Sequence, residues 1–167
     1  LAAGGGFPRS FLAPDDSSSL LWRKSYVRTF IEQDIPNFGF RIPPQQLRRF
    51  WMMLAHYHGN IFNSSEIGRS LNLPYKTVRQ YTDILTSTLM LRQLQPWFEN
   101  ISKRQVKSPK IYFRDSGLYH TLLGLPSHGS LLSHPKTLIA TSSFPLEFFF
   151  FPSLHRAFYT LLYEVCG

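Results

Sequence analysis

The chain has 167 residues, with 18 Lys+Arg against 10 Asp+Glu, six His and one Cys, and a formal net charge of +8. That length fits one ordinary domain, or a small domain with pieces of its neighbours, and a hydrophobic content of 43% is enough for a packed core, which argues against wholesale disorder. The lone Cys166 excludes an internal disulfide framework and any multi-cysteine zinc site, and no apolar stretch reaches the roughly 18 residues of a membrane helix.

The opening LAAGGGFPRS lacks the basic start and long apolar run of a signal peptide, which points to a cytoplasmic protein. A first residue, Leu1, that is not Met points to a fragment or an incomplete gene product. Residues 1–19 are rich in Gly, Ser and Pro and predict a turn, a short apolar piece and a linker. From Leu20 the pattern becomes helical, with Trp22, Tyr26 and Phe30 at spacings of four. Residues 15–19 offer N-cap side chains, and Pro36 and Gly39 end the helix. Pro43 and Pro44 start a second helix, because the missing proline N–H is not needed in a first turn. Leu47, Phe50, Trp51, Leu54 and Tyr57 or His58 form its apolar stripe, and Gly59 closes it as a left-handed residue.

Residues 61–90 (IFNSSEIGRSLNLPYKTVRQYTDILTSTLM) are the most informative stretch. Asn63 with Glu66 three residues later predicts a capped short helix, buried through Ile67 and Leu71. Asn72, Leu73 and Pro74 predict a tight turn, and a longer helix follows from about Tyr75 to Thr88. Val78, Tyr81, Ile84 and Leu85 turn inward, which leaves Lys76, Thr77, Arg79 and Gln80 facing outward. A short helix, a brief turn and a longer helix with polar residues in its first turns is a helix-turn-helix, whose second helix fits the major groove of DNA. The same pattern also occurs in plain structural helix pairs. The period then shifts towards two. Leu89, Leu91 and Leu94 lead through a basic loop, NISKRQVKSPK (100–110), to the returning strand of Ile111, Tyr112 and Phe113. This predicts a β-wing with Lys103, Arg104, Lys107 and Lys110 beside a phosphate backbone, or else a solvated hairpin whose lysines protect an edge strand. Residues 118–125 form a last short helical piece whose leucines belong to the core.

Charge concentrates in the same region. Residues 44–115 hold 11 basic and 4 acidic residues, a surplus of +7, whereas residues 131–167 hold two of each. A local surplus of this kind suits a polyanion, and equally a basic, well-solvated face. The histidines are scattered, with no Cys or carboxylate at metal-ligand spacing, and no nucleophile–base constellation is visible, so neither a metal site nor catalysis is expected. Phe148–Phe151 are interrupted too closely by Pro145, Glu147, Pro152 and Arg156 to span a membrane.

Several segments carry a family resemblance: GGFPRS (5–10), WRKSYVRTFIEQDIP (22–36), LAHYHGNIFNSSEIGRSL (54–71), TVRQYTDIL (77–85), ENISKRQVKSPKIYFRDSGLYHTLLGL (99–125) and LLSHPK (131–136). Together they resemble prokaryotic AAA-type P-loop ATPases that carry a C-terminal domain of unknown function. The resemblance implies an ATPase module first, then a winged helix, then a region like a restriction-endonuclease core. This chain has no G-x-x-x-x-G-K-[ST] phosphate loop, so ATP and Mg²⁺ are expected only in a module outside it, and GGFPR would correspond to the end of the ATPase lid. After the HPK motif the family pattern calls for Gly, an aromatic residue and Glu. Here Thr137, Leu138, Ile139 and Ala140 follow, and the tail holds eight Phe and Tyr among residues 131–167, which points to a frameshifted or mispredicted end from about residue 137.

The expected fold class is mainly α (α+β). Its expected parts are a lid remnant and linker at 1–19, a connecting helix and loop at 20–42, a winged helix-turn-helix with a small β-wing at 43–126, and an irregular tail at 127–167. Trp51, Leu54, Val78, Tyr81, Leu85 and Tyr112 are expected in the core. The expected function is a non-catalytic, cofactor-free module that holds duplex DNA for a larger ATPase. The alternative is a protein-interaction or conformational-relay domain.

Overall fold

The computed structural model describes residues 5–96 and 108–125, all within a unit that spans Leu1–His134. A short helix α1 (Pro8–Phe11) precedes α2 (Asp16–Thr29). Asp15 caps α2, its carboxylate accepting from the Ser18 N–H and the Ser18 hydroxyl, each at 2.8 Å. The helix starts at Asp16 rather than Leu20, and the piece before it is folded rather than a linker, because Ser10 is buried against α2. A widened π-helical turn, Phe30–Asp34, leads into α3 (Ile35–Asn37). Pro36 lies just beyond the widened turn, which relieves the clash its ring would make with a regular preceding turn. Gly39 at φ +86° then stops the helix, with the Gly39 N–H donating to Pro36 O at 2.9 Å and the Phe40 N–H to Ile35 O at 3.2 Å.

Helix α4 (Pro44–His56) buries Leu47, Phe50, Trp51, Leu54 and Ala55. Residues 58–62 then run beside the second strand. The Gly59 N–H donates to Ile111 O at 2.7 Å, and the Phe62 N–H donates to Pro109 O at 2.8 Å. Helix α5 (Ser64–Leu71) is capped by Asn63, whose side-chain oxygen accepts from the Ser65 and Glu66 N–H groups at 3.2 Å. Glu66 does not close the expected capping box, because its carboxylate accepts from the Tyr57 hydroxyl at 2.8 Å. Asn72, at φ +55°, makes the predicted turn. The Asn72 N–H donates to Arg69 O and the Leu73 N–H to Gly68 O, which satisfies the last carbonyls of α5.

Helix α6 (Tyr75–Ser87) follows, then β1 (Leu91–Leu94), β2 (Lys110–Phe113) and α7 (Ser116–Leu122). The strands pair antiparallel with Leu91 opposite Phe113 and Leu94 opposite Lys110. The described part is therefore mainly helical with a small two-stranded antiparallel sheet, as the α+β expectation had it. Trp51, Leu54, Val78, Tyr81 and Leu85 are buried as expected. Tyr112 is not core but half-buried, because alternation along β2 sends Ile111 and Phe113 inward and Tyr112 to the other face. The tail after residue 125 and the loop 97–107 lie outside the described residues.

Gly68 lies against the turn that joins α5 to α6. A Cβ there would lie 2.6 Å from the Leu73 carbonyl oxygen. Gly68→Ala is expected to destabilise the domain by about 1–3 kcal/mol, since backbone on the opposing side has to shift. Urea unfolding of the variant checks this, and a midpoint equal to the wild type's would show that the turn gives way freely.

Candidate nucleic-acid interface

The outward face of α6 is set by what the inward face must bury. Val78, Tyr81, Ile84 and Leu85 pack inside, Phe50 and Tyr81 meeting edge to face at 5.5 Å. Thr82 is also buried, and its hydroxyl donates to Val78 O at 2.8 Å. Lys76, Arg79, Gln80 and Asp83 are left exposed in one stripe, while Thr77 is half-buried at its edge. Among the described residues, Lys76, Arg79 and Gln80 make no hydrogen bond or ion pair. They line an open groove of about 640 Å³ whose other wall includes Phe40, from the connection between α3 and α4.

The hairpin lies against one flank of this helix. The Gln93 amide donates to Asp83 Oδ1 at 3.1 Å and to Thr86 Oγ1 at 3.0 Å, tying β1 to α6. Lys110 is exposed at the start of β2, and Lys103, Arg104 and Lys107 lie outside the described residues. Two arginines outside the predicted wing contacts belong to this hairpin. Arg92 stands opposite Tyr112, and Arg114 follows β2 and donates to Leu91 O at 3.4 Å. Partial burial lowers the pKa of Arg114, and the neighbouring positive charge of Arg92 lowers it further. Period-two alternation through 110–114 puts Lys110, Tyr112 and Arg114 on one face, so counting in twos from Lys110 would have found Arg114.

A second polar constellation is buried. Arg23, only 2% exposed, donates from Nε to Thr121 Oγ1 at 2.8 Å and from one terminal nitrogen to Ser10 Oγ at 2.9 Å and Ser19 Oγ at 2.6 Å. Asp115 caps α7 by accepting from the Leu118 N–H at 2.7 Å, and its other oxygen accepts from the Gly6 N–H at 2.6 Å. Burial raises the Asp115 pKa, while the two backbone donors and the Arg23 charge oppose the rise. Gly5, at φ +73°, sits so close that a Cβ would lie 2.6 Å from the Asp115 carboxylate oxygens, so only glycine fits. The segments GGFPRS, WRKSY and FRDSGL therefore meet in one polar cluster.

The histidines separate as well. His56 is exposed, whereas His58 is buried, its Nδ1 accepting from the Phe113 N–H at 3.1 Å and its ring 4.4 Å from that of Tyr119. Burial, with a smaller contribution from His120, presses the His58 pKa down to about 4. Among the described residues, no group of three or more His, Cys, Asp or Glu side chains could hold a metal ion, and no helix is long and apolar enough to cross a membrane.

A helical unit with a cation-bearing face on α6 and a small hairpin is the class of protein these features define. The chain belongs to the family described as a domain of unknown function, DUF8612, whose profile matches residues 1–129. It is 49% identical over 143 residues to the uncharacterized protein Rv2008c of Mycobacterium tuberculosis and, to the same extent, to the uncharacterized protein Mb2031c of Mycobacterium bovis. Each match covers 86% of this chain and 32% of the relative, so the chain spans about a third of the length of these relatives.

Proposed function

We propose that the chain is a winged-helix module that binds duplex DNA, without catalysis of its own, within a larger protein of the P-loop ATPase type. The order α4, extended segment 58–62, α5, α6, β1, β2 supports the winged-helix reading, because the extended segment pairs with β2 as a first strand would. The ATPase context rests on the family resemblance of the sequence alone.

The observation that carries the reading is the exposed, unengaged trio Lys76, Arg79 and Gln80 in the first turns of the second helix of a helix-turn-helix. Arg suits guanine N7 and O6, Gln suits adenine, and a free Lys suits phosphate. Lys110, with Lys103, Arg104 and Lys107, supplies the hairpin's phosphate contacts in this reading. Asp83 limits the interface to the amino-terminal half of α6, since a carboxylate further along repels phosphate.

Fluorescence anisotropy on a random-sequence duplex over a range of salt concentrations tests this. The double variant Lys76→Ala/Arg79→Ala is expected to bind at least about tenfold more weakly, with a log–log salt slope flatter by up to about two. Asp83→Asn is expected to bind several-fold more tightly. A double variant with the wild-type affinity and slope would show that α6 does not face DNA.

One observation favours the alternative of a conformational relay. Asp115, two residues past β2, is clamped by Gly6 at the other end of the described chain, so a pull on the amino-terminal segment reaches the hairpin directly.

A further inference from the structure

The interface expected from the sequence has one positive flank, the hairpin. The structure supplies a second. On α6, Asp83 and Thr86 mark the flank that Gln93 and β1 occupy. At about 100° per residue, Gln80 and Ile84 turn towards the opposite flank, with Ser87 near the middle of the outward face. Phe40 joins these residues in lining the groove, and α4, which begins just after it, packs on the same side through Phe50 against Tyr81. The outward face of α6 is therefore bracketed, with the hairpin on one side and the connection between α3 and α4 on the other.

That connection is held in place rather than loose. Gly39 and Phe40 close the end of α3 with two backbone hydrogen bonds, and Pro43 and Pro44 restrict the chain on the other side. Arg41 sits between these anchors. It is exposed, immediately follows the groove-lining Phe40, and makes no hydrogen bond or ion pair among the described residues.

We propose that Arg41 contacts the phosphate backbone on the flank opposite the hairpin, so that a duplex seated on α6 is gripped on both sides of its major groove. The inference rests on the DNA-binding reading above. It follows from charge and place. A helix in a groove about 12 Å wide has a phosphate strand along each edge, and an unengaged arginine one residue from the groove-lining Phe40 is within reach of one of them. The cation is Arg41 rather than Lys110, which belongs to the hairpin's flank.

The test uses the whole 167-residue chain and duplexes of random and fixed sequence. Arg41→Ala is expected to weaken binding several-fold, to flatten the log–log salt slope by about 0.9, and to leave the ranking of duplex sequences unchanged. Arg41→Lys should restore most of the slope. Lys24→Ala, which removes another exposed charge, from α2, should change neither, and thermal melting should be the same for all three. If Lys76→Ala/Arg79→Ala weakens binding while Arg41→Ala keeps the wild-type slope, the second flank is wrong and the α6 interface stands. If Arg41→Ala and Lys24→Ala flatten the slope equally, only overall charge is being read and the contact is again overturned. A wild-type chain that binds no duplex at low salt overturns both.

Discussion

Arg23→Met is expected to lower the stability of the fold by about 3–5 kcal/mol, a large fraction of what a domain of this size has in hand. Met keeps most of the aliphatic stem, so lost packing is small and the loss is electrostatic. Arg23 satisfies Ser10, Ser19 and Thr121 at once, and its charge faces a half-buried Asp115. Without it, those hydroxyls lose a charged donor and the carboxylate keeps its burial penalty with less to oppose it. The second variant that isolates this is Asp115→Asn. Alone it is expected to destabilise, because the Gly6 N–H loses a carboxylate acceptor. In the Arg23→Met background it should cost clearly less, because the uncompensated charge has gone. Urea unfolding followed by tryptophan fluorescence gives the cycle. Additive losses would mean that Arg23 and Asp115 are independent, and a loss below about 1 kcal/mol for Arg23→Met would mean the cluster contributes little beyond surface hydrogen bonds.

The fold should also lose stability as pH falls, through His58. Its neutral ring accepts from the Phe113 N–H, and a protonated ring could not. The folded pKa is about 4, against about 6.5 in the unfolded chain. Between these values the unfolded chain binds a proton that the folded chain refuses, so full stability holds above about pH 6.5 and declines as pH drops towards about 4. The expected loss across that window is about 3 kcal/mol. Asp115 works in the opposite sense, because its raised carboxyl pKa makes the folded chain take up that proton first as pH falls. Melting temperatures between pH 7.5 and 4.5 show the effect. His58→Gln retains an acceptor for Phe113 without titrating there, and it should flatten the pH dependence. Parallel curves for the wild type and His58→Gln would place the acid sensitivity elsewhere.

Both effects arise from residues whose partners are not legible in the sequence. The apolar stripe extends to Tyr57 or His58, which sets His58 apart from the exposed His56, but no local signal names Phe113 as its partner. Pairing of residues 58–62 with β2 buries it, and that pairing joins stretches some 50 residues apart in the chain. Arg23 lay on a helix whose aromatic spacing was legible. The polar sector of that helix is covered only because α1 and α7 close over it. Local signals did better. Asn63, Asn72 and Asp15 act through their nearest neighbours, so the caps and the turn between α5 and α6 emerge where expected. Glu66 is the exception, since a tertiary partner, Tyr57, outcompetes its own backbone.

By itself the sequence determined the helices α4, α5 and α6, the turn joining the last two, and which side of α6 is apolar, because these follow from spacing and capping within a dozen residues. It also determined that the positive charge is concentrated between residues 44 and 115. Only the tertiary structure decided that residues 58–62 pair with β2, that the glycine-rich start clamps Asp115, and that Phe40 lines the groove on the open face of α6. Each of these depends on which distant surface covers which face. Burial has no local code, so side chains with similar propensities became core, latch or rim only once the chain had closed on itself.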